Sequence, residues 1–296
     1  MNLIDLEAFV SVVDHKSVVG AASALHLTQS AVTRRVQNLE EVLGVPLLDR
    51  QSRPLQPTSA GKETYEFARP VLNSVGDLKA AIMHNGEPSG TFRFGVARGL
   101  GDLAIGFPIR CLRDSFSKLK LHAFVQWSAL LLERLANGSL DAAVVIFPED
   151  VQPPATVNAI DLGTKRLQVV ASKDTQFSGK ISLQELSNHP WVLNPAGCAT
   201  RECLERIFLR HGLPFESTVE AEGYELQFSL IASGIGLGAC MAEALHHSAF
   251  RNEVKILRTK DLLPTQRVWL LYSKHIGRLE SVVDCLREAI HQSLRS

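Results

Sequence analysis

The chain has 296 residues, room for about two domains of roughly 150 residues each. It is 45% hydrophobic and 21% charged with zero formal net charge. That excludes a disordered chain, and it means that a nucleic-acid partner can be argued only from local clustering of charge. The first residues carry Asp5, Glu7 and Asp14, unlike a secretory signal. No apolar run reaches the roughly 20 residues needed to span a bilayer, so a soluble, cytoplasmic protein without membrane contact is expected. The cysteines, at 111, 198, 203, 240 and 285, are odd in number and scattered. They offer neither a disulfide framework nor a zinc site. No H-E-x-x-H occurs, and His246 and His247 are adjacent, so a helix points them apart. No metal or cofactor is expected.

Leu3, Leu6, Phe9, Val10 and Val13 recur at helical spacing. Ser17 suits the N-cap of a second helix holding Ala21, Ala22 and Leu25, and His26-Leu27-Thr28 is a short connection. The stretch that follows, "LTQSAVTRRVQNLE", predicts a third helix. At 100° per residue Val32, Val36, Leu39 and Leu43 share a narrow arc, with Ser30, Arg34, Gln37 and Glu41 nearly opposite. Thr33 lies on one flank and Arg35 on the other, nearer the apolar stripe. Gly44 ends this helix and Pro46 blocks its return. "LLDRQSRPLQPT" then reads as a tight two-stranded loop carrying Arg50 and Arg53. Three short helices and a basic loop make a winged helix-turn-helix over 1–58.

Recognition helices reach base edges in the major groove with their N-terminal residues. Gln29, Ser30, Thr33, Arg34, Arg35 and Gln37 are suitable donors and acceptors, and Arg50 and Arg53 suit phosphate or minor-groove contact. The plainer alternative is that Arg34 and Arg35 solvate the outer face and pair with acids such as Glu40 and Glu41.

A longer helical pattern occupies 59–86. Ala68, Val71, Val75, Leu78 and Ile82 are spaced as an a/d seam, which calls for a partner helix unless it packs on its own domain. Pro70 should kink this helix or break it at Arg69. After the turn-rich "NGEPSG" the texture changes. Strand patterns at 91–97, 118–125, 142–147, 167–172, 191–194 and 268–273 alternate with helical ones near 102–116, 129–137, 200–211, 224–233 and 277–292. This is an α/β region with a mostly parallel sheet.

"AASALHLTQSAVTRRVQNLEEVLGVPLLDRQSRPLQPTSAG" resembles the N-terminal signature of LysR-type transcriptional regulators. The shared elements are A-A-x-x-L, T-Q-S-A-V-T-R-R, L-E-x-x-L-G-V-P-L-x-x-R and P-T-x-A-G. Thr33 stands where Ser is commoner, Leu48 where Phe is commoner, and Pro70 is unusual in a linker helix. The resemblance implies an α plus α/β fold: a winged helix-turn-helix, a long linker helix that pairs antiparallel with that of a second chain, and a periplasmic-binding-protein-like region over 91–296. That region would divide into subdomain I, about 91–161 plus 267–296, and subdomain II, about 162–266. It further implies double-stranded DNA as partner, with RNA polymerase as a further one. A homodimer or homotetramer would bind a small effector in the cleft between the subdomains.

Candidate effector contacts sit where strands end and helices begin, which favours anions such as carboxylates. They are Arg98, Gly99 and Leu100 after the first strand, Ser128 after the second, Phe147 and Pro148 after the third, and Cys198, Thr200 and Arg201 before a helix. Each arginine has the alternative of a surface ion pair, and Ser128 that of a helix N-cap. Gly99, Gly101 and Ala104 imitate a dinucleotide fingerprint, but the acid expected at the next strand end is replaced by Gln126, Trp127 and Ser128. Cys198 and Cys203 resemble the thiol pair of the peroxide-sensing branch of the family, at a shorter spacing, which leaves redox sensing as an alternative. An enzyme has little support: there is no G-x-S-x-G, and a cysteine chemistry at Cys198 lacks an identifiable base. A ligand-binding module whose helical N-terminus contacts another protein is the remaining alternative.

Overall fold

The computed structural model of the chain describes residues 2–82, 88–101, 105–177, 179–261, 263–274 and 276–294. It divides into two units, one centred on the residues up to 86 and one on those from 87 onward.

In the first unit α1 (Leu3–His15), α2 (Val18–Leu25) and α3 (Gln29–Leu43) each begin on a side-chain cap. Asn2, Ser17 and Thr28 accept from the backbone N–H of Asp5, Gly20 and Ala31 at 2.8, 3.3 and 3.2 Å, satisfying donors that a helix start leaves open. All three helices end on a left-handed residue, Lys16, His26 and Gly44. Their buried faces meet through Phe9, Val12, Ala21, Val32, Val36 and Leu39. Leu43, expected in the apolar stripe of α3, is 39% exposed. The chain turns after Gly44, and Leu47 enters the core instead.

The wing is a two-stranded sheet of β1 (Leu48–Asp49) and β2 (Gln56–Pro57), paired antiparallel. Behind it, α4 (Ser59–Ile82) starts on Thr58, whose hydroxyl accepts from the Gly61 N–H at 3.0 Å and donates to the Pro46 carbonyl at 2.8 Å. A Cβ on Gly61 would lie 2.0 Å from the Leu47 carbonyl oxygen. The P-T-x-A-G stretch is thus the joint at which α4 leaves the wing. Helix α4 runs through Pro70, so the expected break at Arg69 does not occur. The carbonyl left without its usual donor is that of Glu66, an exposed residue that water can serve. Arg69 itself is buried and anchored to Asp14 of α1 at 3.0 Å, and Tyr65 donates to the same carboxylate.

The second unit is built on a mixed sheet. Its strands are β3 (Gly90–Ala97), β4 (Leu119–Gln126), β5 (Ala142–Pro148), β6 (Val157–Ser172), β9 (Gly238–Met241), β10 (Val254–Ile256) and β11 (Thr265–Ser273). The order is β10-β6-β11-β5-β3-β4, with β9 also on β6. In this sheet the parallel pairs are β3–β4 and β3–β5. Strand β11 lies between β5 and β6 and runs opposite to both, and β9 and β10 are antiparallel to β6. The expectation of a mostly parallel sheet therefore fails. The chain re-enters this sheet through β11 from the far lobe and not over a helical crossover.

Two lobes share the sixteen-residue β6. Its first part pairs with β11, and its end pairs with β9 and β10. In the near lobe every residue of β5 is buried, as in a strand covered on both faces. Helices α5 (Gly106–Ser115), α6 (Ser128–Ala136) and α11 (Glu280–Ser293) cover its sheet. The far lobe adds a parallel pair, β7 (Trp191–Leu193) and β8 (Ser217–Glu220). It also holds α7 (Leu183–Leu186), α8 (Ala199–Arg210), α9 (Tyr224–Ala232) and α10 (Ala242–His247). Trp191 packs edge-on against Phe208 and Phe215 at its centre.

Candidate nucleic-acid interface and effector cleft

Within the first unit α3 presents a polar row outward. Gln29, Ser30, Thr33, Arg34 and Gln37 are exposed and Arg35 is half-buried, matching the flank expected for it. The Thr33 hydroxyl donates to the Gln29 carbonyl at 2.9 Å, so it faces outward as an acceptor and a methyl group. The Ser30 and Thr28 hydroxyls lie 3.0 Å apart. Among the described residues neither Arg34 nor Arg35 takes part in an ion pair. Of the two acids considered for them, Glu41 is exposed and forms no ion pair among the described residues, and Glu40 goes elsewhere. Glu40 accepts from the N–H groups of Leu47 and Leu48 at 2.8 and 3.3 Å and binds Arg50 at 2.9 Å. One buried-side carboxylate thus ties the wing to α3, a role that the sequence reading missed because the partners are backbone groups. Arg50 keeps 61% of its side chain exposed, and Arg53 is exposed at the wing tip.

On α4 the structure moves Ala68 out of the exposed stripe: it is 3% exposed, in the core of its own unit. Val71 and Leu78 are 45% and 62% exposed, and Val75 is half-buried. Phe67, 71% exposed, was not anticipated. The side chain of Ile82, and residues 83–86 of the expected linker, lie outside the described residues.

In the second unit the candidate effector residues gather at the carboxyl ends of β3, β4, β5 and β7, where an open α/β sheet binds ligands. Arg98, Gly99 and Leu100 form a 3-10 turn after β3. The Arg98 guanidinium lies 5.3 Å from the centroid of the Trp127 ring and 3.1 Å from Glu222 of the far lobe. Gly99 sits below Tyr224 and Met241, and a Cβ there would be 3.5 Å from the Tyr224 hydroxyl. Thr200 faces the same hydroxyl at 3.5 Å and accepts from the amide of fully buried Gln266 at 3.3 Å. Burial pushes the Tyr224 phenol above its usual range, so it is a neutral donor.

Other candidates are committed to structure. Leu100 is fully buried, and Phe147 and Pro148 are buried. Pro148 borders a cavity of about 470 Å³ together with Cys203, Arg206 and Thr265. Ser128 is the first residue of α6 and accepts from the Ile146 N–H at 3.1 Å. Arg201 is engaged by Glu205 at 2.7 Å and by Glu220, and the hydrogen bonds it donates to Glu220, then Glu205, hold its pKa up. Burial pushes the Cys198 thiol up, against the pull of the Arg201 and Thr200 N–H groups. Burial also takes Cys203 to about 12. Both thiols are protonated at neutral pH, which disfavours nucleophilic chemistry. Asp102 and Ala104 lie outside the described residues.

Tyr224, Glu222 and Gln266 were missed as site residues. Tyr224 opens a helix whose preceding strand, β8, is only four residues long, so nothing in the sequence announces a strand end there. Among the described residues no group of side chains could hold a metal ion, and no helix is long and apolar enough to cross a membrane.

Comparison with known proteins adds the family. Residues 3–62 match the bacterial regulatory helix-turn-helix protein of the lysR family, and residues 85–295 match the LysR substrate binding domain. A RuBisCO operon transcriptional regulator of Allochromatium vinosum is 27% identical over 296 residues, covering 98% of this chain and 95% of that one. A hydrogen peroxide-inducible genes activator of Dickeya chrysanthemi is 27% identical, covering 97% and 95%. A full-length OxyR variant from Pseudomonas aeruginosa superposes with a TM-score of 0.79 at 19% identity, covering 98% and 94%. Full-length CbnR in complex with its target DNA gives 0.64 at 18% identity, covering 99% and 100%. The helix-turn-helix unit, the two-lobed α/β unit and the match of both to one family agree, and the chain belongs to the LysR-type transcriptional regulators.

Proposed function

We propose that this regulator reads DNA with the polar face of α3 and the wing arginines, as a homodimer or homotetramer, and that a small carboxylate or other anion in the cleft beside Arg98 modulates it. The observation that carries the DNA reading is the exposed row Gln29, Ser30, Thr33, Arg34 and Gln37, which has no acidic partner among the described residues, while Glu40 serves the wing. Gln and Arg pair bidentately with adenine and guanine edges in the major groove. Arg35, half-buried, suits a phosphate at the groove wall. Of the effector candidates, Gly99 and Thr200 lie against the Tyr224 hydroxyl, Arg98 projects from the same turn as Gly99, and all three stay in the proposal as contacts. Cys198, Leu100, Ser128, Phe147 and Pro148 are buried behind these turns and would act on an effector only by shaping them, and Arg201 braces the start of α8. RNA polymerase is the partner through which bound regulator would act on transcription.

The test is fluorescence anisotropy on the DNA upstream of the chain's own gene, over a range of salt concentrations. Tight binding relative to random DNA, falling steeply with salt, is expected. Arg34→Ala should cost about 1–3 kcal/mol at the operator. A loss below about 0.3 kcal/mol, well under a good base contact, would remove α3 from base readout.

A further inference from the structure

We infer that Glu222 is a built-in competitor of the effector: its carboxylate holds the same Arg98 guanidinium that an anionic effector would take. The inference rests on the effector site proposed above and names a residue that sets its affinity and its choice of ligand charge. Arg98 projects from the turn after β3 in the near lobe, and Glu222 from the segment between β8 and α9 in the far lobe. They approach as an ion pair, with Arg98 Nη2 3.1 Å from Glu222 Oε1. Trp127 lies under the guanidinium, its ring centroid 5.3 Å from Cζ. The Arg98 Nε is buried and has no hydrogen-bond partner among the described residues. The Nε–Nη2 edge of arginine is built to receive both oxygens of one carboxylate. Glu222 sits beside Nη2 as an ion pair and leaves the buried Nε unpaired.

Glu222 is held at that distance by its own loop. The next residue, Gly223, has φ +99 and donates its N–H to Asn194 Oδ1 at 2.7 Å, and Asn194 in turn donates to buried Gln227 at 3.1 Å. A free carboxylate has no such tether and can take Nε and Nη2 together. Displacing Glu222 is cheap, since its side chain is 58% exposed and exposed ion pairs are weak. A neutral ligand gains nothing from the exchange. Glu222 thus discriminates between anions and neutral molecules of the same shape, and an anion that displaces it also severs a link between the two lobes.

The experiment is isothermal titration of the full chain with sodium acetate and sodium benzoate, and with acetamide and benzamide as neutral isosteres. Wild type, Glu222→Gln, Arg98→Gln and the double variant are compared, with circular dichroism as a check on folding. The expected result is carboxylate binding about two- to five-fold tighter in Glu222→Gln, equivalent to roughly 0.4–1 kcal/mol at 1.4 kcal/mol per tenfold. Amide binding should be unchanged, and carboxylate binding lost in both Arg98 variants. Unchanged carboxylate affinity in Glu222→Gln, with loss in Arg98→Gln, would overturn the competitor and leave the Arg98 site standing. Carboxylate binding that survives Arg98→Gln, or carboxylates that bind none of the proteins, would overturn both.

Discussion

At the scale of single residues, the polar groups that matter most are those that join one element to another. Glu40 joins α3 to the wing through two N–H groups, Thr58 joins α4 to the turn at Pro46, and Asp14 joins α1 to α4 through Arg69. The Arg69 side chain is 7% exposed, so removal of its partner strands a buried cation. Asp14→Ala should therefore cost about 2 kcal/mol by chemical denaturation, discounted for the partial exposure of Asp14. Asp14→Asn, which still accepts hydrogen bonds, should recover part of it. A cost below about 0.5 kcal/mol, typical of an ordinary surface substitution, would mean that Arg69 is satisfied by other groups. Glu185 gives a second test. It closes a capping box with Ser182, whose backbone N–H and hydroxyl hold its pKa down to about 2 from 4.5. A depressed carboxylate stabilises the fold above its unfolded pKa and loses that contribution as pH falls toward its folded value. Titration of Glu185 by NMR should show a midpoint near pH 2, and Ser182→Ala, which removes the hydroxyl but keeps the backbone N–H, should raise it only part of the way toward 4.5.

At the scale of elements, α4 shows how a helix can serve two masters. Its first turns are inward: Ala68 and Arg69 are buried against the first unit. Beyond Pro70 it presents Val71 and Leu78 to solvent, which a monomer has no reason to keep apolar. Leu78→Asp should leave the fold intact, since the side chain is 62% exposed, and shift the particle to a monomer by light scattering at micromolar concentration. An unchanged oligomer would move the interface elsewhere.

At the scale of the molecule, the far lobe puts its thiols inside. Burial holds Cys203 and Cys240 at about 12, so neither is appreciably ionised at neutral pH. Iodoacetamide at pH 7 should label them in folded protein far more slowly than in urea. Mild peroxide should leave Cys198 and Cys203 unlinked by mass spectrometry, and a 198–203 disulfide would return thiol sensing as the control mechanism.

The N-terminal unit was legible in the sequence because its determinants are local. Capping side chains, a 3.6-residue apolar period and a glycine after Leu43 act over one or two turns, and the elements they predict are those observed. Of the two outcomes expected at Pro70, a kink or a break at Arg69, the break does not occur, and α4 continues through Pro70 with Arg69 anchored to Asp14. In the α/β unit the buried run of β5 could be read, whereas the half of β6 before Leu167 could not: its exposed, polar positions carry no alternation. Only the tertiary structure decided that β11 runs opposite to β5 and β6. It alone brought Glu222 to Arg98 and Gln266 to Thr200, partners 124 and 66 residues apart. Local chemistry writes helices and turns into a chain, but a site assembled from strand ends depends on how distant segments pack, and no short stretch of sequence contains that information.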